Sequence, residues 1–138
     1  MNKYGLVLGI GVDILQSTRI SKLLTTKSSI FIGKFSKRIL HPRYEFPKFE
    51  QLNQLEKIQY LSGVWCAKEA LFKTLDLSDQ KLFQFNQWYR LYDESGKPHI
   101  KNDLYSKPDE EFHLSISHDD SIFMATVLRQ RILPMIKV

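Results

Sequence analysis

Between Phe49 and Leu75 the chain has no proline and a single glycine, Gly63, and Leu52, Leu55, Ile58, Leu61, Trp65, Phe72 and Leu75 recur at helical spacing. A helix over this whole stretch, at about 1.5 Å per residue, crosses an entire small domain, so everything else must pack around it. Gly63 costs roughly 1 kcal/mol in helix propensity and marks close packing against a strand. In the second half, Trp65-Cys66-Ala67-Lys68-Glu69-Ala70-Leu71-Phe72-Lys73-Thr74, one carboxylate, Glu69, lies between the ammonium groups of Lys68 and Lys73 in an otherwise apolar run. Residues four apart share a helix face, so Trp65, Glu69 and Lys73 form a stripe. Taken alone, the stripe is accounted for by a solvated Glu→Lys pair contributing only a few tenths of a kcal/mol.

Upstream, Leu6, Leu8, Ile10 and Val12 alternate with Val7, Gly9, Gly11 and Asp13, which predicts a strand with one apolar face. The glycines on the other face admit a second backbone or a ligand, and Asp13 ends that side. Gly9-Ile10-Gly11 lacks the third glycine of a dinucleotide fingerprint. Ser17 or Thr18 is placed to cap a helix running to about Lys27, with Ile20, Leu23 and Leu24 on one face. A second helix, from Ile30 to about Leu40, turns Phe31, Phe35 and Ile39 inward and is stopped by Pro42. Tyr44–Phe49, with Pro47, reads as a loop.

After Asp76 strands are expected: Phe83–Phe85, Trp88–Tyr92, and a return from Pro98 after the turn Asp93-Glu94-Ser95-Gly96-Lys97. Asn102–Glu110 is a polar loop. Phe112, Leu114 and Ile116 alternate with His113, Ser115 and Ser117, and Asp119-Asp120-Ser121 turns into Ile122–Leu128, apolar on both faces and therefore central. Arg129–Val138, with Pro134, reads as a loose tail. The fold class is α+β: one domain over residues 1–138, with a long helix packed on antiparallel β-strands.

The lone Cys66 excludes an internal disulfide and a thiolate metal site, and between Trp65 and Ala67 it reads as a small core residue. No apolar run reaches the ~20 residues of a membrane span, so no membrane partner is expected. The N-terminus, with one early lysine and an apolar run broken by glycines, resembles neither a signal peptide nor an Arg-rich transit peptide. The net charge of +5 is unevenly spread. From Ser17 to Lys48 the bases are Arg19, Lys22, Lys27, Lys34, Lys37, Arg38, Arg43 and Lys48, against the single acid Glu45. An acidic partner fits such a surface. Nucleic acid is disfavoured, because no reader motif or interleaved aromatics accompany the bases.

Two hard oxygen ligands, Asp13 and Glu69, with a lysine nearby suit a Mg²⁺-bridged pyrophosphate better than zinc, although Asp13 alone reads equally as a strand-end or capping residue. Lys73 is placed to neutralise a phosphate; its plain alternative is a surface lysine. Ser115, Ser117 and His118 fall at a strand end where they can donate to phosphate oxygens. A Ser/His/Asp triad is rejected, because Ser117, His118 and Asp119 are adjacent and strand neighbours point to opposite faces. His41 and His113 have no companion at ligand spacing and read as structural or exposed. A non-catalytic basic binding module and a Mg²⁺-dependent phosphatase or nuclease remain the alternatives on these residues alone.

Four blocks in order carry a resemblance. Gly11-Val12-Asp13 followed by Arg19-Ile20, then Arg38-Ile39-Leu40 with Glu45, then Trp65-Cys66-Ala67-Lys68-Glu69-Ala70-Leu71-Phe72-Lys73, then Ser115-Ile116-Ser117-His118-Asp119, resemble the motifs of 4′-phosphopantetheinyl transferases of the holo-acyl-carrier-protein-synthase type. They span residues 9–128. Cys66 stands where that family often has Ala. The resemblance implies a magnesium enzyme moving the phosphopantetheine arm of coenzyme A to a serine of an apo acyl carrier protein, in support of fatty acid synthesis. It implies Asp13 and Glu69 as metal ligands, with Glu69 taking the serine proton directly or through a water. Lys73 would bind phosphate, Ser117, His118 and Arg43 would lie near the nucleotide phosphates, and Arg19 with Lys22 would dock the acidic carrier. It further implies a homotrimer with sites at subunit junctions. The Leu40-His41-Pro42 wording points to a mitochondrial protein if the source is eukaryotic, and otherwise the cytoplasm is expected.

Overall fold

A computed structural model describes residues 2–105 and 107–136; the parts of the expected loop and tail at Ser106, Lys137 and Val138 lie outside them. The elements in chain order are β1 (Lys3–Gln16), α1 (Ser17–Thr26), α2 (Ser29–Ile39), α3 (Phe46–Glu50), α4 (Gln54–Phe72), α5 (Leu77–Lys81), a 3₁₀ turn (Phe85–Gln87), β2 (Tyr89–Tyr92), β3 (Pro98–Lys101), β4 (Glu110–Asp119) and β5 (Ile122–Pro134). An antiparallel sheet of order β1-β5-β4 and a separate β2-β3 hairpin flank α4. The α+β architecture matches the expectation, and β5 is indeed the central strand.

The long helix is shorter than its apolar pattern. It begins at Gln54 because Asn53 and Glu56 form a capping box: the Asn53 side chain accepts from the Glu56 N–H at 2.9 Å, and Glu56 accepts from the Asn53 N–H at 3.2 Å. At 19 residues it is still roughly 28 Å long. Its second half is buried on nearly every side, through Leu61, Val64, Cys66, Ala67, Ala70 and Leu71. The segment expected as a loop, Tyr44–Phe49, contains α3, with Pro47 in the first turn where a missing N–H costs nothing. Phe83–Phe85 is not a strand. Phe83 packs edge-on against Phe72, Phe85 follows it into the core, and α5 and the 3₁₀ turn carry the chain around them. Neither Ser17 nor Thr18 caps α1; Gln16 holds that position without a side-chain bond, and the Ser17 N–H donates to the Ser121 carbonyl at 2.7 Å.

The strand β1 turns its glycine side inward. A Cβ on Gly11 would meet the Ala70 carbonyl oxygen at 1.9 Å, and one on Gly9 the Thr74 carbonyl at 3.0 Å, so these positions let strand and helix touch backbone to backbone. The apolar side of β1 faces solvent, with Ile10 62% and Ile14 65% exposed. Gly63 of α4 makes room for the Arg90 guanidinium of β2, whose Nη1 lies 2.6 Å from where its Cβ would stand.

Arg129–Pro134 is part of β5, not a loose tail. Arg129 is 1% exposed and donates to Glu110 at 2.6 and 2.9 Å, to Asp76 at 3.1 and 3.3 Å, and to the Thr74 carbonyl at 3.1 Å. Burial pushes the Glu110 carboxyl up, but donors from Arg129, Tyr105 and Arg131 outweigh it and hold Glu110 below its ordinary 4.5. A depressed carboxylate contributes stability above its ordinary value and loses it as pH falls through the depressed one. Glu110→Gln is therefore expected to lower the melting temperature at about pH 7 and to differ less from wild type at about pH 3. A difference that stayed constant between those conditions would remove the charge of Glu110 from the account.

Candidate active site

Three elements bring the first group of candidates together. Asp13 sits near the end of β1, paired with Ala125 of β5 and fixed in depth by the Gly11–Ala70 contact two residues away. Glu69 lies in the penultimate turn of α4, and Lys73 is the residue that closes the helix. The Lys73 ammonium donates to the Val12 carbonyl at 2.7 Å and to Asp13 Oδ1 at 3.3 Å, which ties helix end to strand end. Cys66 Sγ reaches the Asp13 carbonyl at 3.2 Å, one turn before Glu69. Burial pushes that thiol up to about 12, so Cys66 is an inert packing group and not a nucleophile.

The Glu69 carboxyl is held above its ordinary value, first by burial and second by the charge of Asp13. A hydrogen bond from the Trp65 side chain and the charges of Lys73 and Arg19 pull it back. Two carboxylates thus press on each other in a partly desolvated corner, with two cations beside them. Among the described residues no group of three or more His, Cys, Asp and Glu is placed to hold a metal. The corner offers two oxygen anions and open directions. That donor set fits a hard cation that keeps water and phosphate oxygens in its shell, so Asp13 and Glu69 are the residues that would hold Mg²⁺.

The remaining candidates lie elsewhere in the chain. Ser117 and His118 stand on β4, separated from β1 by β5. They point to opposite faces. His118 stacks on Phe123 at 4.9 Å on the helix side, while Ser117 is paired with Met124 on the solvent-facing apolar side. Arg43 is exposed in the link between α2 and α3, its guanidinium 5.3 Å from the Tyr44 ring centroid. Arg19 and Lys22 are exposed on α1, with Arg19 near enough for its charge to act on Glu69. His41 is structural: its Nδ1 accepts from the Arg43 and Tyr44 N–H groups at 3.1 and 3.3 Å. His113 is exposed beside Gln130.

Lys68 has no part in this corner. It is fully buried and donates to Glu45 at 2.5 Å, to the Ile39 carbonyl at 2.7 Å and to the Phe85 carbonyl at 2.9 Å. Burial draws the ammonium down to about 8 while Glu45 holds it up, which leaves it charged at neutral pH. Glu45 also accepts the His41 and Arg90 N–H groups at 2.8 Å each, so the pair clamps α2, α3 and β2 onto α4. The signal was in the pattern: Lys68 shares a face with Leu61, Val64 and Leu71, and Glu45 is the only acid among eight bases.

The chain belongs to the 4′-phosphopantetheinyl transferase superfamily, whose pattern matches residues 9–128. Similar relatives carry a more particular name. The holo-[acyl-carrier-protein] synthase of Geobacillus kaustophilus is 35% identical over 130 residues, covering 94% of each chain. That of Anoxybacillus flavithermus is 33% identical over 127 residues, covering 92% of this chain and 98% of its own. Among solved structures, the holo-ACP-synthase of Plasmodium yoelii superposes with a TM-score of 0.74 at 30% identity, covering 93% of this chain and 98% of that one. The Bacillus anthracis holo-(acyl-carrier-protein) synthase in complex with CoA (3′,5′-ADP) gives 0.73 at 29% identity, covering 91% and 97%.

Proposed function

We propose that the chain is a holo-[acyl-carrier-protein] synthase. It transfers the 4′-phosphopantetheine arm of coenzyme A to a serine of an apo acyl carrier protein. The serine oxygen forms a bond to the pantetheine-side phosphorus, the pyrophosphate bridge breaks, and adenosine 3′,5′-bisphosphate leaves. The observation that carries this reading is the meeting of Asp13, Glu69 and Lys73 within a chain matched to the family over residues 9–128. Asp13 and Glu69 would hold Mg²⁺, which would supply charge neutralisation to the pyrophosphate. Glu69, half-buried beside Lys73 at the end of α4, takes the serine proton directly or through a water. Lys73 uses two of its three N–H donors on Val12 and Asp13 and keeps one for a phosphate oxygen.

The reading is tested by the intact mass of an apo acyl carrier protein after incubation with this protein, CoA and Mg²⁺, beside a parallel reaction in EDTA. A gain of one phosphopantetheine arm that EDTA abolishes is the expected result. Release of inorganic phosphate or cleavage of a simple diester, with the carrier unchanged, would favour the phosphatase or nuclease alternative. The carrier in this reading serves fatty acid synthesis, in the mitochondrion of a eukaryotic cell or the cytoplasm of a bacterial one.

Arg19 and Lys22 are the docking bases of this reading. Arg19→Glu is expected to raise the KM for the carrier by about tenfold and to leave the KM for CoA nearly unchanged, as reversal of a rim charge does. The opposite pattern would move Arg19 out of the docking surface.

The solvent-facing apolar side of β1, with Leu6, Ile10, Val12 and Ile14 exposed together and Met124 beside Ile14, supports a homotrimer. In this reading a neighbouring copy seated there completes the coenzyme A site, with Ser117, His118 and Arg43 the residues expected near the nucleotide phosphates. Light scattering should give three times the chain mass, and Ile10→Asp should reduce it. A wild-type mass of one chain would remove the trimer.

A further inference from the structure

Along β5 the side chains that face α4 are Phe123, Ala125 and Val127, all buried and apolar, and the next in that alternation is Arg129. A guanidinium at the end of an apolar series is a poor source of stability, since apolar groups of similar volume do as well there. What it adds is direction. Its five N–H donors are all used, on Glu110, on Asp76 and on the Thr74 carbonyl. Thr74 is buried and directly follows Lys73, so its carbonyl needs a partner within the protein. Asp76 stands at the N-cap of α5 but makes no capping bond there; its carboxylate goes to Arg129 instead.

Thr74 also touches β1. Arg129 pairs with Gly9 and Gln130 with Val7, so Leu8 bulges out of the ladder and leaves Gly9 and Arg129 abreast. A Cβ on Gly9 would stand 3.3 Å from Thr74 Cα, and one on Gly11 would stand 3.1 Å from Lys73 Cβ. The glycines permit helix and sheet to touch, but an absent side chain exerts no pull. Arg129 supplies the pull, through the Thr74 carbonyl at 3.1 Å. We propose that Arg129 is a positioning residue for the corner of Asp13, Glu69 and Lys73. It draws the last turn of α4 onto the sheet and so sets how far Lys73 and Glu69 stand from Asp13. The inference rests on the function proposed above.

The test compares wild type with Arg129→Lys, with Asp76→Ala and, as a control, with Tyr105→Phe. Lysine keeps a cation beside Glu110 but has no fork to span Glu110, Asp76 and Thr74 together. Tyr105→Phe removes a donor that lies 2.7 Å from Glu110 and leaves the bonds of Arg129 in place. Two readouts are taken: amide hydrogen exchange along α4, and kcat and KM for transfer to apo acyl carrier protein well below each melting temperature. In Arg129→Lys the amides of Lys73, Thr74 and Leu75, bonded to the Glu69, Leu71 and Phe72 carbonyls, should exchange about tenfold faster, while those of Val64, Cys66 and Ala67 hold. The kcat should fall about tenfold, with the carrier KM within about twofold of wild type. Asp76→Ala, at an exposed carboxylate, should speed exchange at the same three amides by about threefold, and it decides the matter if Arg129→Lys does not fold. Tyr105→Phe should lower the melting temperature with kcat unchanged. Exchange that rose evenly along α4, or an equal fall of kcat in Tyr105→Phe, would make Arg129 a scaffold residue and overturn the proposal. So would a wild-type kcat in Arg129→Lys. If wild type transfers nothing, the proposed reaction fails, while the exchange pattern still decides whether Arg129 seats the helix end.

Discussion

Glu69→Gln is expected to lower phosphopantetheine transfer by about 10²-fold or more while the protein stays folded. The amide cannot accept the serine proton, and it is a weaker partner for a cation than the carboxylate it replaces. Stability should not suffer. The fold holds Glu69 above its ordinary pKa, first through burial and then through Asp13, so the charged form is a cost to folding at neutral pH. A neutral isostere removes that cost. The measurement is the rate of mass gain by the carrier, taken beside a thermal melt. Wild-type activity in the variant would strip Glu69 of both roles. Loss of activity with loss of the melting transition would place Glu69 in the scaffold instead.

Lys68→Ala should do the reverse. Removing one partner of a fully buried ion pair strands the other, at about 3–5 kcal/mol. Glu45 would remain in the interior, bonded only to the His41 and Arg90 N–H groups. The Ile39 and Phe85 carbonyls would also lose the donor they share. For a domain of this size the melting temperature should fall by about ten degrees or more. Lys73→Ala, five residues on, removes an exposed ammonium paired at 3.3 Å and should leave the melt nearly unchanged while it damages transfer. A Lys68→Ala protein melting like wild type would mean that the interior around Glu45 admits water.

The contrast between these two lysines shows what was legible in the sequence. The apolar pattern located α4, and the resemblance pointed to Glu69 and Lys73; the structure brings both to Asp13. For Lys68 the periodicity offered half the signal, a lysine on the same helix face as Leu61, Val64 and Leu71; the other half, its partner Glu45, lies 23 residues away and no local pattern reaches it. Arg129 escaped for the same reason, since its partners Asp76 and Glu110 come from two other segments. Pro47 was read as a breaker although the first turn of a helix accepts it, and the Asn53–Glu56 box was overlooked within a longer helical rhythm. For β1 the alternation was right and did not say which face is inside. Two glycines decided that, by letting Ala70 and Thr74 approach where any side chain would stand in the way. Ser117, His118 and Arg43 are not gathered with Asp13 within one chain.

With Glu45 folded inward against Lys68, the stretch from Ser17 to Lys48 sends its only negative charge into the interior and all eight positive ones into water. The clamp that fastens α3 to α4 thereby also removes the counter-charge that would have dulled the local field. An approaching polyanion feels that field over roughly a Debye length, about 8 Å at physiological ionic strength, before any side chain touches it. Encounter is therefore steered, and its rate should rise steeply as salt is withdrawn.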